Sequence, residues 1–245
     1  MKKAVSHRCV DPGQRIREKH KMRCISAFFL AVGMALLLFV CAGVWQGKNY
    51  LLAGILMLLF LFGVVVLNFE KRKPRAREIA LLSTMTWLSV AANELCSHTI
   101  PLHAGTAMVV ISGIALGPET GFFVGALARF VCNFFSGQGP WTPWQMLGFG
   151  LVGFLGGVLF SGRKVQLVPL LLYGFFSVLI VYGVLLDTAS MLMYNAVPSW
   201  QLWLATCASG FVFNLIHAGA TAVFLLLLYK PLLSKLARVK EKYGL

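Results

Sequence analysis

Polar and ionisable side chains interrupt the long apolar stretches of this 245-residue chain, and they are the residues that could do chemistry. Burying a charge among apolar residues is costly, so such groups usually face a partner or a cavity. Their types allow hydrogen bonding and ion pairing. The residues concerned are Asn93, Glu94, Arg129, Asn133, Asp187, Asn214 and His217.

Each of these groups has a structural and a functional interpretation. Glu94 either pairs with Arg129 inside the protein or contacts a ligand directly. Asp187 is predicted at an outer helix end, where water can solvate it. Asn214 and His217 lie one helical turn apart, which favours hydrogen bonds between helices.

The stretch 137–145, Gly-Gln-Gly-Pro-Trp-Thr-Pro-Trp-Gln, is the most specific local motif. Two glycines and two prolines favour a stiff, tightly turned loop. Trp141 and Trp144 add flat apolar surface, and Gln138 and Gln145 add amide groups. We therefore expect a rigid binding loop, with an interfacial aromatic belt as the alternative for its tryptophans.

Other aromatic and imidazole groups flank the predicted helix ends. Trp200 and Trp203 suit a ligand pocket or an aromatic belt equally well. His98 and His103 flank Pro101, in a spacing that favours hydrogen bonding to a ligand over metal ligation.

Sequence signatures of catalysis are missing from the chain. It has no P-loop, no Gly-x-Ser-x-Gly and no kinase or dinucleotide-binding fingerprint. Its six cysteines are scattered without a Cys-x-x-Cys pair. We expect no enzyme activity, no metal site and no covalently bound cofactor.

The elements that must position these residues are membrane helices. Only 12% of the residues are charged, against roughly 25% in soluble domains. Apolar runs near the 20 residues of a spanning helix predict an all-α polytopic membrane protein. Two spans precede a dense basic stretch and six follow it: 25–45, 50–69, 79–98, 104–117, 120–136, 144–161, 168–187 and 201–229.

The positive charges orient these eight predicted helices. With both termini in the cytoplasm, twenty Lys and Arg residues lie inside and one lies outside. The net charge of +14 then indicates orientation and attraction to anionic lipid, and not nucleic-acid binding. The predicted parts are a basic N-terminus, a two-helix extension, a basic linker, a six-helix core and a basic tail: 1–23, 24–69, 70–78, 79–229 and 230–245.

Residues 76–160 resemble the substrate-binding S components of energy-coupling factor (ECF) vitamin transporters. The likeness runs through Arg77-Glu78-Ile79-Ala80 and Gly117-Pro118-Glu119-Thr120-Gly121-Phe122, and it is tightest over 137–146. It implies a six-helix core that captures a vitamin or vitamin precursor from outside the cell. The core would deliver it to a transmembrane scaffold subunit driven by two ATPases.

The resemblance also implies roles for particular residues. Docking on the scaffold would use Ala76, Ala80 and Thr84 on the first core helix. The Gly-Pro-Trp-Thr-Pro-Trp loop suggests cobalamin or a related large ring compound. The expected substrate-binding residues are Asn93, Glu94, His98, His103, Asn133, Gln138, Trp141, Trp144, Gln145, Asp187, Trp200 and Trp203.

Three other functions stay open from the sequence. A sensory or scaffold membrane domain could use the extra helix pair and the basic ends to bind a regulator. A membrane enzyme acting on a lipid-linked substrate would need Glu94, Arg129 or His217 for turnover. An independent secondary carrier would transport without any ATPase.

Overall fold

A computed structural model describes residues 75–99, 103–194 and 199–244, together with scattered positions between 52 and 70. Regular structure in this part of the chain is helical throughout. A π-helical segment, Ser177–Gly183, joins two of the helices into one continuous helix, Leu167–Tyr194. The helices are α1 Ala76–Thr99, α2 Gly105–Leu116, α3 Pro118–Ser136, α4 Thr142–Phe160, α5 Leu167–Phe176, α6 Val184–Tyr194 and α7 Trp200–Tyr243.

These helices follow the six predicted core segments closely. If Leu167–Tyr194 is counted once, the described residues from 75 onward hold six helices. The predicted basic N-terminus and most of the predicted two-helix extension lie outside the described residues. The described positions between 52 and 70 are helical, and Phe69 packs edge-to-face on Phe123 of α3.

The protein is a membrane protein by the length and composition of its helices. Four described stretches are long and apolar enough to span a bilayer: Ala76–Cys96, Thr142–Phe160, Leu167–Tyr194 and Trp200–Tyr243. The helix α2 is apolar but short. At about 1.5 Å per residue, the 44 residues of α7 exceed the roughly 30 Å hydrocarbon core, so α7 continues past the bilayer.

Glycines hold α2, α3 and α4 together at backbone distance. A Cβ atom on Gly113 would overlap the carbonyl of Gly153, and one on Gly153 would overlap the carbonyl of Gly121. Helices that approach this closely gain extensive van der Waals contact in a bilayer. These small residues therefore serve helix packing, and α2 lies buried from Gly105 to Ile114.

Three predicted boundaries were wrong. The helix predicted to end at Asp187 continues to Tyr194, because Asp187 is partly buried and accepts a hydrogen bond from Asn214 of α7. Asp187 is therefore not a solvated residue at a helix end. The first core helix begins at Ala76, inside the predicted linker 70–78, and α7 takes in most of the predicted tail 230–245.

Chain direction brings the connection 137–141, the end of α1 and the starts of α2 and α7 to the same end of the bundle. We name this the loop end. One hydrogen bond supports this arrangement of α1 and α2: the Ser89 hydroxyl of α1 donates to the Gly105 carbonyl at the start of α2 over 2.9 Å. The N-terminal half of α4 and the C-terminal halves of α1 and α3 are thus neighbours.

Candidate functional site

Gln145 joins α3 to α4 near the loop end. Its Oε1 accepts hydrogen bonds from Arg129 Nε over 3.0 Å and from Asn133 Nδ2 over 2.8 Å. Arg129 and Asn133 are one turn apart on α3, so both face the first turn of α4. The Arg129 guanidinium also lies 5.4 Å from the ring centroid of Phe149. A buried cation is thus held by an amide oxygen and an aromatic face.

The loop 137–141 is closed by its own hydrogen bonds. Gln138 accepts from the Thr142 hydroxyl over 2.9 Å, and its Nε2 donates to the Phe130 carbonyl over 3.1 Å. The half-buried ring of Trp141 packs on Gly139, where a Cβ atom would collide with it. The predicted stiffness agrees with this geometry, and the amide of Gln138 serves to shape the loop.

Trp144 points into the protein and not outward from the loop as predicted. Its side chain is 1% exposed and belongs to the main apolar core. The physical reason is that α4 begins at Thr142, which puts Trp144 in the first helical turn. Gly148, one turn further along, leaves room for the ring of Tyr182 on the same side.

A second group of polar side chains connects α1, α2 and α7. The Thr106 hydroxyl and His217 Nε2 lie 2.8 Å apart, and His103 Nδ1 lies 3.2 Å from Asn93 Oδ1. The two imidazole rings are 4.7 Å apart between centroids. His217 of α7 therefore pairs with Thr106 of α2, and Asn214 of α7 pairs with Asp187 of α6. The prediction that His217 and Asn214 hydrogen-bond between helices is confirmed.

Aromatic rings surround His217. Its ring centroid is 5.1 Å from that of Tyr182, 6.0 Å from that of Phe149 and 6.4 Å from that of Phe213. Phe149 therefore links the imidazole to Arg129, since the guanidinium also lies over this ring. We name the joined groups the polar cluster: Asn93, His103, Thr106, Arg129, Asn133, Thr142, Gln145 and His217.

His103 lies in the connection between α1 and α2, outside the helical spans. Burial lowers the pKa of its imidazole from 6.5 to about 4, and the positive charge of Arg129 lowers it in the same direction. The imidazole is consequently neutral at pH 7. It offers the cluster a hydrogen-bonding nitrogen without a charge.

Two further predicted site residues, Glu94 and His98, belong to α1. Glu94 is half-buried, and its Oε1 accepts from Asn93 Nδ2 over 3.4 Å. Its predicted pair with Arg129 stays a prediction. The side chain of His98 lies outside the described residues.

Asp187, Trp200 and Trp203 form a separate group on α6 and α7. The Trp200 and Trp203 rings are stacked with centroids 4.9 Å apart, and Trp203 Nε1 donates to the Thr188 hydroxyl over 3.0 Å. Asp187 Oδ2 accepts from Asn214 Nδ2 over 3.0 Å. These contacts join α6 to α7 near the start of α7.

The predicted docking residues share the exposed face of α1. Ala76, Ala80 and Thr84 are all exposed, at intervals of one turn. The Thr84 hydroxyl donates to the Ala80 carbonyl over 2.8 Å, so it needs no other partner. The exposed Trp87 and Leu88 continue this face, which suits contact with lipid or another helix.

Sequence reasoning missed Thr106, Phe149 and Tyr182, and it interpreted His217 as a residue that hydrogen-bonds between helices. Threonine, phenylalanine and tyrosine are common in membrane helices, so their types carried no signal. A polar residue deep in an apolar run was the one available signal, and it did mark His217. The partners across the bundle depend on helix packing.

Three buried side-chain atoms have no hydrogen-bond partner within the described residues: Asn133 Oδ1, Trp144 Nε1 and His217 Nδ1. An unsatisfied buried polar group costs about 1–3 kcal/mol. Together the three atoms comprise an acceptor, a donor and a ring nitrogen that can be either. Such groups among aromatic rings suit recognition of a polar, flat ligand.

The described residues hold no group of three or more His, Cys, Asp and Glu side chains that could bind a metal ion. The polar cluster instead offers amide, hydroxyl and imidazole groups. These groups can bind and orient a small molecule by hydrogen bonds.

Two comparisons with known proteins show what the chain is similar to. A family model described as "ECF-type riboflavin transporter, S component" matches residues 74–234. The UPF0397 protein of Aliivibrio salmonicida (strain LFI1238) is 32% identical over 75 residues, which cover 27% of this chain and 40% of that protein. The alignment thus spans less than half of that relative.

No solved structure matches the chain significantly. The family match covers well over half of the chain. An S component is the substrate-binding subunit of a transporter and not an enzyme. The chain belongs to the family of ECF-type riboflavin transporter S components.

Proposed function

We propose that this protein captures a vitamin-class compound at the loop end and delivers it to a transmembrane scaffold subunit powered by two ATPases. Family membership supports this role, because S components bind the substrate while partner subunits hydrolyse ATP. The observation that carries the proposal is the set of three unpartnered polar atoms at Asn133, Trp144 and His217. Bound substrate would satisfy them and recover part of their desolvation cost.

The polar cluster would hold the ligand among helices that contribute to a rigid frame. The glycine contacts of α2 with α4 and of α3 with α4 restrict how far the helices can shift. Preorganised groups bind more tightly because less entropy is lost on association. The substrate-binding roles of Asn93, Asn133 and Gln145 belong to this proposal.

A flavin is the first candidate for the ligand. The family description names riboflavin, whose ring system is flat, heteroaromatic and edged with hydrogen-bonding groups. The expectation of cobalamin rested on the resemblance carried by the Gly-Pro-Trp-Thr-Pro-Trp loop, and the second tryptophan of that loop, Trp144, is buried in the core. The family description names riboflavin and not cobalamin, which favours the smaller ring system. Cobalamin is therefore the comparison ligand in the test.

The scaffold would dock on the exposed face of α1. Ala76 and Ala80 present small side chains there, and Thr84 satisfies its hydroxyl internally. Small residues let a partner helix approach the backbone closely. The exposed Trp87 would then lie at the rim of that contact.

The membrane orientation is also part of the proposal. The loop end would face outside, and the basic ends, including Arg163 and Lys164, would face the cytoplasm and its anionic lipids. The proposed orientation also includes the two further helices predicted before residue 75, which give eight helices and place both termini in the cytoplasm.

Ligand identity can be tested directly. The full chain is purified in detergent without added vitamin, and small molecules that co-purify are identified by mass spectrometry. Riboflavin is then titrated, with quenching of its fluorescence as the signal, and cobalamin is titrated against tryptophan fluorescence. Saturable riboflavin binding supports the proposal, whereas cobalamin binding alone changes the substrate.

Transport is tested in cells that express the chain with and without a scaffold subunit and its ATPases. We expect uptake of the bound vitamin to need all partners and ATP. Uptake without any ATPase would contradict the proposal and support a secondary carrier. A chain that binds no vitamin but captures a regulator would instead be a sensory domain.

A further inference from the structure

We infer that His217 recognises the ligand through Nδ1, which hydrogen-bonds to the polar edge of a flat heteroaromatic ring, while Thr106 holds the imidazole through Nε2. This inference rests on the proposed function and deepens it. Nothing in the sequence motifs points to His217 as a contact, and the role follows from its surroundings in the bundle.

The two nitrogens of His217 have different environments. Nε2 lies 2.8 Å from the Thr106 hydroxyl, whereas Nδ1 is buried without a partner in the described part of the protein. The side chain as a whole is 2% exposed. A hydrogen bond at one nitrogen fixes the orientation of the imidazole ring. Thr106 is therefore a positioning residue for Nδ1.

The surroundings of His217 suit an aromatic ligand better than an ordered water molecule. A buried water usually needs two to four polar partners. The near neighbours of His217 include the rings of Tyr182, Phe149 and His103. Aromatic side chains of this kind offer edge and face contacts to another flat ring. Its polar edge would then pair with Nδ1.

Tyr182 provides an independent sign of function. It belongs to the π-helical segment Ser177–Gly183, which interrupts the helix Leu167–Tyr194. Such segments are rare and occur frequently at functional sites. Here the segment carries the Tyr182 ring that packs edge-to-face on His217. The π-helical segment is therefore in contact, through Tyr182, with the residue that carries the unpartnered nitrogen.

Two substitutions separate the nitrogens. The amide of Asn reaches the position of Nδ1, so His217→Asn keeps a polar atom toward the ligand and loses the Thr106 contact. The longer Gln reaches the position of Nε2, so His217→Gln keeps the Thr106 contact and loses the polar atom at Nδ1. A role in ligand recognition and a role in helix packing therefore predict opposite orders of affinity.

The experiment uses the full chain in detergent and riboflavin as the probe, with fluorescence quenching as the signal. We expect His217→Gln to weaken binding by about 10- to 100-fold, and His217→Asn by less than about 10-fold. Thr106→Val should fall between them because Nδ1 stays but loses its fixed direction. Ser112→Ala is the control, since the buried Ser112 hydroxyl donates to the Met108 carbonyl within α2.

Two further results complete the test. If neither His217 variant folds, nitrogen NMR of imidazole-labelled wild-type protein should show a riboflavin-induced shift of Nδ1. An unchanged Nδ1 signal in the bound protein overturns the inference, as does tighter binding by His217→Gln than by His217→Asn. Wild-type protein that binds riboflavin but not through His217 leaves the proposed function intact. If the wild type binds cobalamin instead, the same variants are compared with cobalamin, and if it binds no vitamin, both proposals fall.

Discussion

Arg129 on α3 and Gln145 on α4 are joined by a hydrogen bond of 3.0 Å from Nε to Oε1. The same oxygen accepts from Asn133 Nδ2 over 2.8 Å. One amide oxygen therefore satisfies two buried donors, one of them on a cation. This relationship fixes how α3 and α4 meet at the loop end.

Replacing Gln145 tests this arrangement. Gln145→Leu removes the acceptor of Arg129 Nε and should lower the free energy of unfolding by about 1–3 kcal/mol, whereas Asn133 Nδ2 keeps its hydrogen bond to the Thr142 hydroxyl oxygen over 3.0 Å. Gln145→Glu keeps an acceptor and adds a carboxylate for Arg129, so it should stay close to wild type. Thermal unfolding in detergent measures both. Gln166→Leu, at an exposed position before α5, is the control and should change little.

The glycine contacts predict a strong difference between two alanine variants. Gly153→Ala would force its new Cβ atom against the Gly121 carbonyl, so α3 and α4 must separate. We expect a loss of about 1–3 kcal/mol or more in unfolding free energy. Gly219→Ala on α7 meets open space and should stabilise the helix by about 0.5–1 kcal/mol. Equal melting temperatures for the two variants would contradict the packing.

His103 predicts how stability depends on pH. Its pKa is lowered to about 4 in the folded protein, below the ordinary value of 6.5, mainly by burial. Its contribution to stability is therefore present above pH 6.5 and is lost as the pH falls toward 4. The melting temperature of wild type should fall across this window more steeply than that of His103→Asn. Parallel curves would show that the imidazole does not titrate this way.

The pair of Asp187 and Asn214 can be examined by a double-mutant cycle. Asn214→Leu leaves the partly buried carboxyl of Asp187 without its donor on α7 and should destabilise the protein. Asp187→Leu alone leaves the amide unpaired. The double variant should recover part of both losses, because neither polar group then remains. Additive losses in unfolding free energy would mean that the pair does not interact.

Docking through α1 predicts a variant that separates binding from assembly. Ala80→Trp puts a large side chain on the exposed face proposed for the scaffold. We expect it to reduce co-purification with the scaffold by at least about 10-fold, while riboflavin affinity is kept. Val223→Trp on the exposed side of α7 is the matched control. A scaffold complex that forms equally with both variants would rule out this face.

The sequence by itself determined the class of the protein and most of its helices. Charge-free stretches near 20 residues long leave no other stable arrangement in a bilayer, because each backbone group must be satisfied within its own helix. All six core helices accordingly begin within about three residues of the predicted start, and four of them also end within about one residue of the predicted end. The loop 137–141 was also predictable, since its glycines and prolines restrict the backbone locally.

The tertiary structure decided where the polar groups go and which of them meet. Asp187 became a helix–helix partner because Asn214 lies opposite it, and Trp144 turned inward because α4 begins two residues earlier. The pairing of His217 with Thr106 joins residues 111 positions apart. Composition and periodicity act over one or two turns, so they specify a helix and its ends. Contacts across the bundle depend on the rotation and spacing of whole helices, which the glycine contacts between α2, α3 and α4 set.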